Sequence, residues 1–127
     1  MQKQFTAQDL TNFVSKITQA KTLDEIYEIG RELVGYEGNG YKKAVISVYK
    51  TRKKEIIQEM TQENTIFSNL YFLIKMAEGE VLKQVGKLLY NLKQVLPKSE
   101  ISYLFDIYET KKEKAEKEET IDVEEIV

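Results

Sequence analysis

A chain of 127 residues with 42% hydrophobic and 31% charged side chains is most simply one domain with a modest core. It has no cysteine and no histidine, which excludes disulfides and thiol chemistry and removes the commonest general base and metal ligand. The net charge of −2 hides an uneven layout: residues 41–54 hold six basic groups and no acid, while 99–127 hold ten acids against four lysines.

The chain reads as helices from end to end. Thr6 caps a first helix, whose Leu10, Phe13, Val14 and Ile17 fall on one face. Thr22-Leu-Asp-Glu25 fits a capping box and opens a second helix, with Ile26, Ile29, Leu33 and Val34 as its apolar stripe. Gly35, Gly38, Asn39 and Gly40 then form a helix–helix connection. They follow a helix and lack a Walker or dinucleotide pattern, so a phosphate loop is not indicated.

A third helix is expected over 41–62. AVISV at 44–48 has strand propensity, but Tyr41, Ala44, Val45, Val48, Ile56 and Met60 continue at helical spacing. Segment 65–79 is apolar around much of its circumference and is expected to be the most buried helix. Val81, Val85, Leu88, Leu89, Leu92, Val95 and Leu96 form the next stripe, and one helix spanning both segments is an alternative, since Gly79 alone costs only about 1 kcal/mol. Pro97 marks a boundary. Ser99 caps a last helix with Ile101, Leu104, Phe105 and Tyr108 inward. No internal repeat is evident. The expected fold is all-α, a compact bundle of about five or six helices over 1–112, with a flexible acidic tail over 113–127.

Lys42, Lys43, Lys50, Lys53 and Lys54 share an arc of roughly 120° on the third helix. Like charges repel in the isolated protein and become favourable against phosphates, where each contact releases counterions. A lysine face paired with neighbouring acids is the alternative. Arg52 falls between Val48 and Ile56 within the apolar stripe, where a guanidinium needs a carboxylate or carbonyl partner; an interface with a subunit or RNA is the other option. Tyr49, at the edge of the arc, is placed either to complete the core or to stack on a base. Tyr103 and Ile107 face away from the inward stripe of the last helix and mark a candidate partner surface. The carboxylate pairs Asp24/Glu28 and Glu55/Glu59 lack a third ligand and read as helix surface. Segment 99–110 is too apolar and acidic for a DNA recognition helix. No catalytic constellation, cofactor or metal is indicated. The opening MQKQFTAQDLTNF lacks a signal core and no apolar run reaches membrane-spanning length, so a cytoplasmic protein is expected.

Three segments resemble the small helical subunit of type III CRISPR interference complexes. They are Lys50-Thr51-Arg52-Lys53-Lys54-Glu55-Ile56, Leu70-Tyr-Phe-Leu-Ile-Lys-Met-Ala-Glu-Gly79-Glu80, and Tyr103-Leu-Phe-Asp-Ile-Tyr-Glu109. Glu80 departs from the family's usual Arg, and Thr110-Lys111-Lys112 replaces its closing Ala-Tyr pattern. The resemblance implies a non-catalytic subunit stacked along guide and target RNA, with Arg52 as the position carried over most directly. The expected function is therefore a structural subunit of a ribonucleoprotein assembly. It would contact RNA backbone through Lys42, Lys43, Lys50, Arg52, Lys53 and Lys54, and other subunits or a second copy through Tyr103 and Ile107. A helical adaptor acting through protein contacts alone, of viral-inhibitor or polymerase-accessory type, is the alternative.

Overall fold

The computed structural model describes residues 3–126, with side-chain environments up to Glu116. The fold is all-α, with helices α1 (Ala7–Gln19), α2 (Leu23–Leu33), α3 (Gly40–Met60), α4 (Ile66–Met76), α5 (Gly79–Leu92) and α6 (Lys98–Ile126). No strand occurs among the described residues; an isolated bridge joins Lys3 to Tyr36. Short polar residues start α1, α2, α3 and α4 by accepting the first unpaired N–H groups. Thr6 Oγ1 accepts from Asp9 N–H at 3.1 Å while the Asp9 carboxylate accepts from Thr6 N–H at 3.0 Å, a complete capping box. Thr22 caps α2 through Glu25 N–H, but the Glu25 carboxylate reaches Lys21 N–H rather than that of Thr22. Asn39 caps α3 and Thr65 caps α4.

The chain divides into two compact units, Met1–Gln62 and Glu63–Val127. In the first, α3 packs on both α1 and α2. Phe13, Ile17, Ile26, Ile29, Leu33, Val45 and Ile56 are buried. In the second, α6 packs on α4 and α5, and Phe67, Leu70, Ile74, Leu82, Val85, Leu89 and Leu104 are buried.

The two units repeat one plan, which corrects the expectation of no internal repeat. Buried Ile26, Ile29 and Leu33 of α2 recur as buried Leu82, Val85 and Leu89 of α5 at the same spacing, while Leu23, also buried in α2, has Gly79 at its equivalent place. Gly30 and Gly86 hold equivalent places beside these sets, and each receives a tyrosine from the third helix of its unit. A Cβ on Gly30 would stand 2.7 Å from the Tyr49 hydroxyl; one on Gly86 would stand 2.5 Å from Tyr108 Cζ. Only glycine admits the ring that closely. Three residues beyond each tyrosine, a cation crosses to the end of the unit's first helix. Arg52 donates to Ala20 O, and Lys111 donates to Ile74 O and Lys75 O at 2.8 and 2.6 Å. Thr51 and Thr110, one residue before these cations, each back-bond to the carbonyl four residues earlier. The sequence carries the trace: Tyr49-Lys-Thr-Arg-Lys53 against Tyr108-Glu-Thr-Lys-Lys112, and Ile29-Gly-Arg-Glu-Leu33 against Val85-Gly-Lys-Leu-Leu89.

Several expected apolar registers shift. Helix α4 is not buried all round: Phe67, Leu70 and Ile74 face inward while Ile66, Phe72, Leu73 and Met76 are exposed. In α5 the core line is Leu82, Val85 and Leu89, which leaves Val81 and Leu88 outside, with Val95 beyond the helix also exposed. A run dense in apolar residues supports two neighbouring stripes, and packing selects one. Helices α4 and α5 are separate, because Ala77 is extended and Gly79 takes a positive φ of 56°. The last helix opens ahead of Ser99, since Pro97 O accepts from Ile101 N–H. Phe5, assigned no role by periodicity, is a core residue. The backbone of α6 is helical to Ile126, and the side chains of the tail beyond Glu116 lie outside the described residues.

Candidate nucleic-acid interface

The basic residues of α3 separate into two groups once neighbours are in place. Lys42, Arg52 and Lys53 are engaged within the first unit. Lys42 Nζ donates to Tyr36 O at 2.7 Å, tying α3 to the turn after α2. Lys53 Nζ sits 4.7 Å from the centroid of the Tyr27 ring, a cation–π contact across to α2. Arg52 donates Nε and Nη2 to Ala20 O at 3.1 and 2.7 Å, and Nη1 to the Glu55 carboxylate at 3.0 Å. Its side chain is only 20% exposed.

Arg52 is therefore a terminal clamp for α1. The last carbonyls of a helix carry partial negative charge and lack intrahelical partners, so a guanidinium fork satisfies them well. Replacing Arg52 with Ala strands Ala20 O, and the expected cost is about 2 kcal/mol. Urea unfolding checks this. Arg52→Lys, with no planar fork, should recover only part of the loss. A variant as stable as the parent would contradict the clamp.

Lys43, Lys50 and Lys54 form the second group. All three are exposed, and no hydrogen bond or ion pair reaches them among the described residues. At 100° per residue they fall within about 40° of one another, a single row about 16 Å long at 1.5 Å per residue. Ser47 and Thr51, which lie between them on this side, are uncharged. Such a row is a ladder of point charges at the pitch of the helix. It can hold phosphates, sulfates or a carboxylate-rich surface.

The second unit shows what the shared plan requires at these places. Aligned on Tyr49 and Tyr108, the positions of Lys43, Lys50 and Lys54 correspond to Ser102, Glu109 and Glu113, all exposed. The same face of the equivalent helix thus folds with three lysines in one unit and with a serine and two carboxylates in the other. Neither sign is needed for packing.

Beside the lysine row, α2 and α3 enclose an open groove of about 490 Å³. Leu33, Val34, Ile46 and the rings of Tyr27 and Tyr49 make its walls; Arg31, Lys42 and Lys50 supply its only charges. Burial raises the Tyr49 hydroxyl above its ordinary pKa, with Arg31 pulling the other way.

The second candidate surface, Tyr103 and Ile107 on α6, is half covered within its own unit. Tyr103 stacks on Tyr71 at 6.4 Å between centroids and lies 6.0 Å from Phe67. Burial, with a smaller contribution from Tyr71, pushes its hydroxyl up to about 12, so it stays protonated at any ordinary pH. In this unit the exposed large apolar residues lie instead on α4 and α5, with Val95 just beyond them. Among the described residues no cluster of three acids gathers to hold a metal ion, and no helix is long and apolar enough to cross a membrane.

Comparison with protein-family models, curated proteins and solved structures finds no match for this chain.

Proposed function

We propose that this protein is a non-catalytic subunit that contacts the phosphate backbone of RNA through the exposed lysine row of α3, within a larger ribonucleoprotein assembly. The observation that carries the reading is the charge contrast between equivalent helices. Lys43, Lys50 and Lys54 stand where the second unit has Ser102, Glu109 and Glu113, so the lysines serve something other than folding. Three aligned ammonium groups with no acid in the row suit a polyanion, whose binding releases counterions. The reading narrows the site. Lys42, Arg52 and Lys53 support the row from within, and the RNA contacts fall to Lys43, Lys50 and Lys54. Because the position that the CRISPR subunit resemblance carries over best, Arg52, is spent on Ala20 O, the proposal stands on the lysine row and leaves the kind of ribonucleoprotein open.

Salt dependence tests it. With three phosphate contacts to a single strand, log K should fall with log salt at a slope of about −2. Affinity for a labelled oligouridylate should then drop about twenty-fold between 50 and 200 mM salt. Binding that ignores salt would reject a backbone contact.

A second reading, the helical adaptor, is favoured by one observation: Phe72, Leu73 and Met76 on α4, with Val81 and Leu88 on α5, are exposed in the second unit. Exposed large apolar side chains on two successive helices suit protein contact. The two readings are compatible in an assembly where one unit meets RNA and the other meets protein.

A further inference from the structure

We infer that the α2–α3 groove receives an unstacked base, so that the ligand of the lysine row is a single strand rather than a duplex. The inference deepens the backbone-contact reading and rests on it.

Three observations lead there. First, the groove is continuous with the row, because Lys50 belongs to both. A phosphate held at Lys50 places its own nucleotide at the groove mouth. Second, the lining matches a nucleotide in kind. Tyr27, Tyr49, Ile46 and Val34 offer flat or apolar surface without a carboxylate, while Arg31, Lys42 and Lys50 ring it with positive charge. Base stacking on such surface is tolerant of sequence, as a backbone reader requires. The volume, about 490 Å³, falls in the ordinary range for small-molecule sites. The groove runs between Lys42 and Lys50, about 12 Å along α3, which is long enough for a nucleotide and short for an amphipathic helix of three turns.

Third, the second unit again serves as the internal control. Its equivalent tyrosine, Tyr108, is buried at 8% exposure, with Phe105 in place of Ile46. Tyr49 sits over Gly30 in the same way but stays partly exposed along the groove wall. The plan can bury this ring, and the unit that carries the lysines leaves it accessible. Bases inside a duplex are already stacked and cannot enter without being flipped out, at a cost.

The experiment compares a 12-nucleotide oligouridylate with a 12-base-pair RNA duplex by fluorescence anisotropy on the full chain. The strand should bind about ten-fold more tightly, the scale of one stacked base. Tyr49→Leu removes the ring, and Val34→Trp fills the mouth from a position that is 71% exposed and so spares the core. Each should erase the strand's advantage and leave duplex binding unchanged. Backbone amide signals of Gly30, Val34, Ile46 and Tyr49 should shift when the strand is added. Equal affinity for strand and duplex, or an advantage that survives Val34→Trp, overturns the base site while leaving the lysine row intact. So does a peptide of alternating aliphatic and acidic residues that moves those amides when the strand does not, since the groove is then a protein dock. Failure to bind either RNA rejects the backbone-contact reading itself.

Discussion

Phe5→Ala should destabilise the first unit by about 3–5 kcal/mol, the range for deleting a fully buried aromatic side chain. Phe5 lies outside any helix, yet it is 2% exposed. Its ring stacks on Phe13 at 5.6 Å and meets the edge of Tyr36 at 5.2 Å. Backbone pairing holds the segment in place: Lys3 N–H donates to Gly35 O, and Glu37 N–H donates to Lys3 O. Asn39, which caps α3, also donates its side-chain amide to Phe5 O at 2.8 Å. The residue thus ties the start of the chain to the α2–α3 connection and to the start of the helix that bears the lysines. A loss of this size is a large share of the 5–15 kcal/mol that stabilises an ordinary domain. For a unit of this length it corresponds to a fall in Tm on the order of 15 °C or more. Thermal unfolding followed by circular dichroism reads the effect, and Phe5→Leu should lose much less because most of the volume is kept. A variant within about 1 kcal/mol of the parent would place Phe5 at the surface.

The starts of the first two helices were legible in the sequence because they depend on local chemistry. Thr6 and Thr22 precede apolar periodicity, and the N–H groups they serve are their near neighbours. Asn39, which reads as part of a Gly-rich connection, is the cap of α3, and the last helix opens ahead of Ser99. Register on α4 and α5 was not legible. Residues 66–76 and 81–96 hold apolar side chains on adjacent stripes, and only the partner helix decides that Leu82 goes inward while Val81 stays out. Phe5 was invisible to periodicity because it is a single anchor in an extended segment. The repeat was within reach, in the two Tyr-x-Thr-(Arg/Lys)-Lys segments and the two (Ile/Val)-Gly-(Arg/Lys)-x-Leu segments. It is faint because the match is confined to a few core and contact positions, while neighbouring exposed residues differ, as Lys50 against Glu109 and Glu32 against Leu88. The fate of each lysine was half legible. The helical wheel put five on one arc, but only the neighbours Tyr36 and Tyr27 remove Lys42 and Lys53 from it. For Arg52 the wheel gave the need for a partner, and the fold supplied Ala20 O.

Reversing charge at Lys43, Lys50 and Lys54 should lower RNA affinity by about a hundred-fold or more, because three counterion-releasing contacts are replaced by three repulsions. Stability should stay close to that of the parent, since exposed side chains away from caps and core seldom change it by more than about 0.5 kcal/mol each. The second unit already folds with Ser102, Glu109 and Glu113 on the equivalent row. The same reversal at Lys42 and Lys53 should act differently, through loss of the contacts to Tyr36 O and the Tyr27 ring, and should show first as lower stability. Changing all three row lysines to Arg keeps the charge and should keep the affinity. The decisive measurement is the equilibrium affinity of the parent and of Lys43→Glu/Lys50→Glu/Lys54→Glu for a labelled single-stranded RNA at low salt, with helicity recorded on the same samples. Loss of binding by a fully helical variant is the result expected of a phosphate-reading row on α3. Undiminished binding by that variant would contradict it.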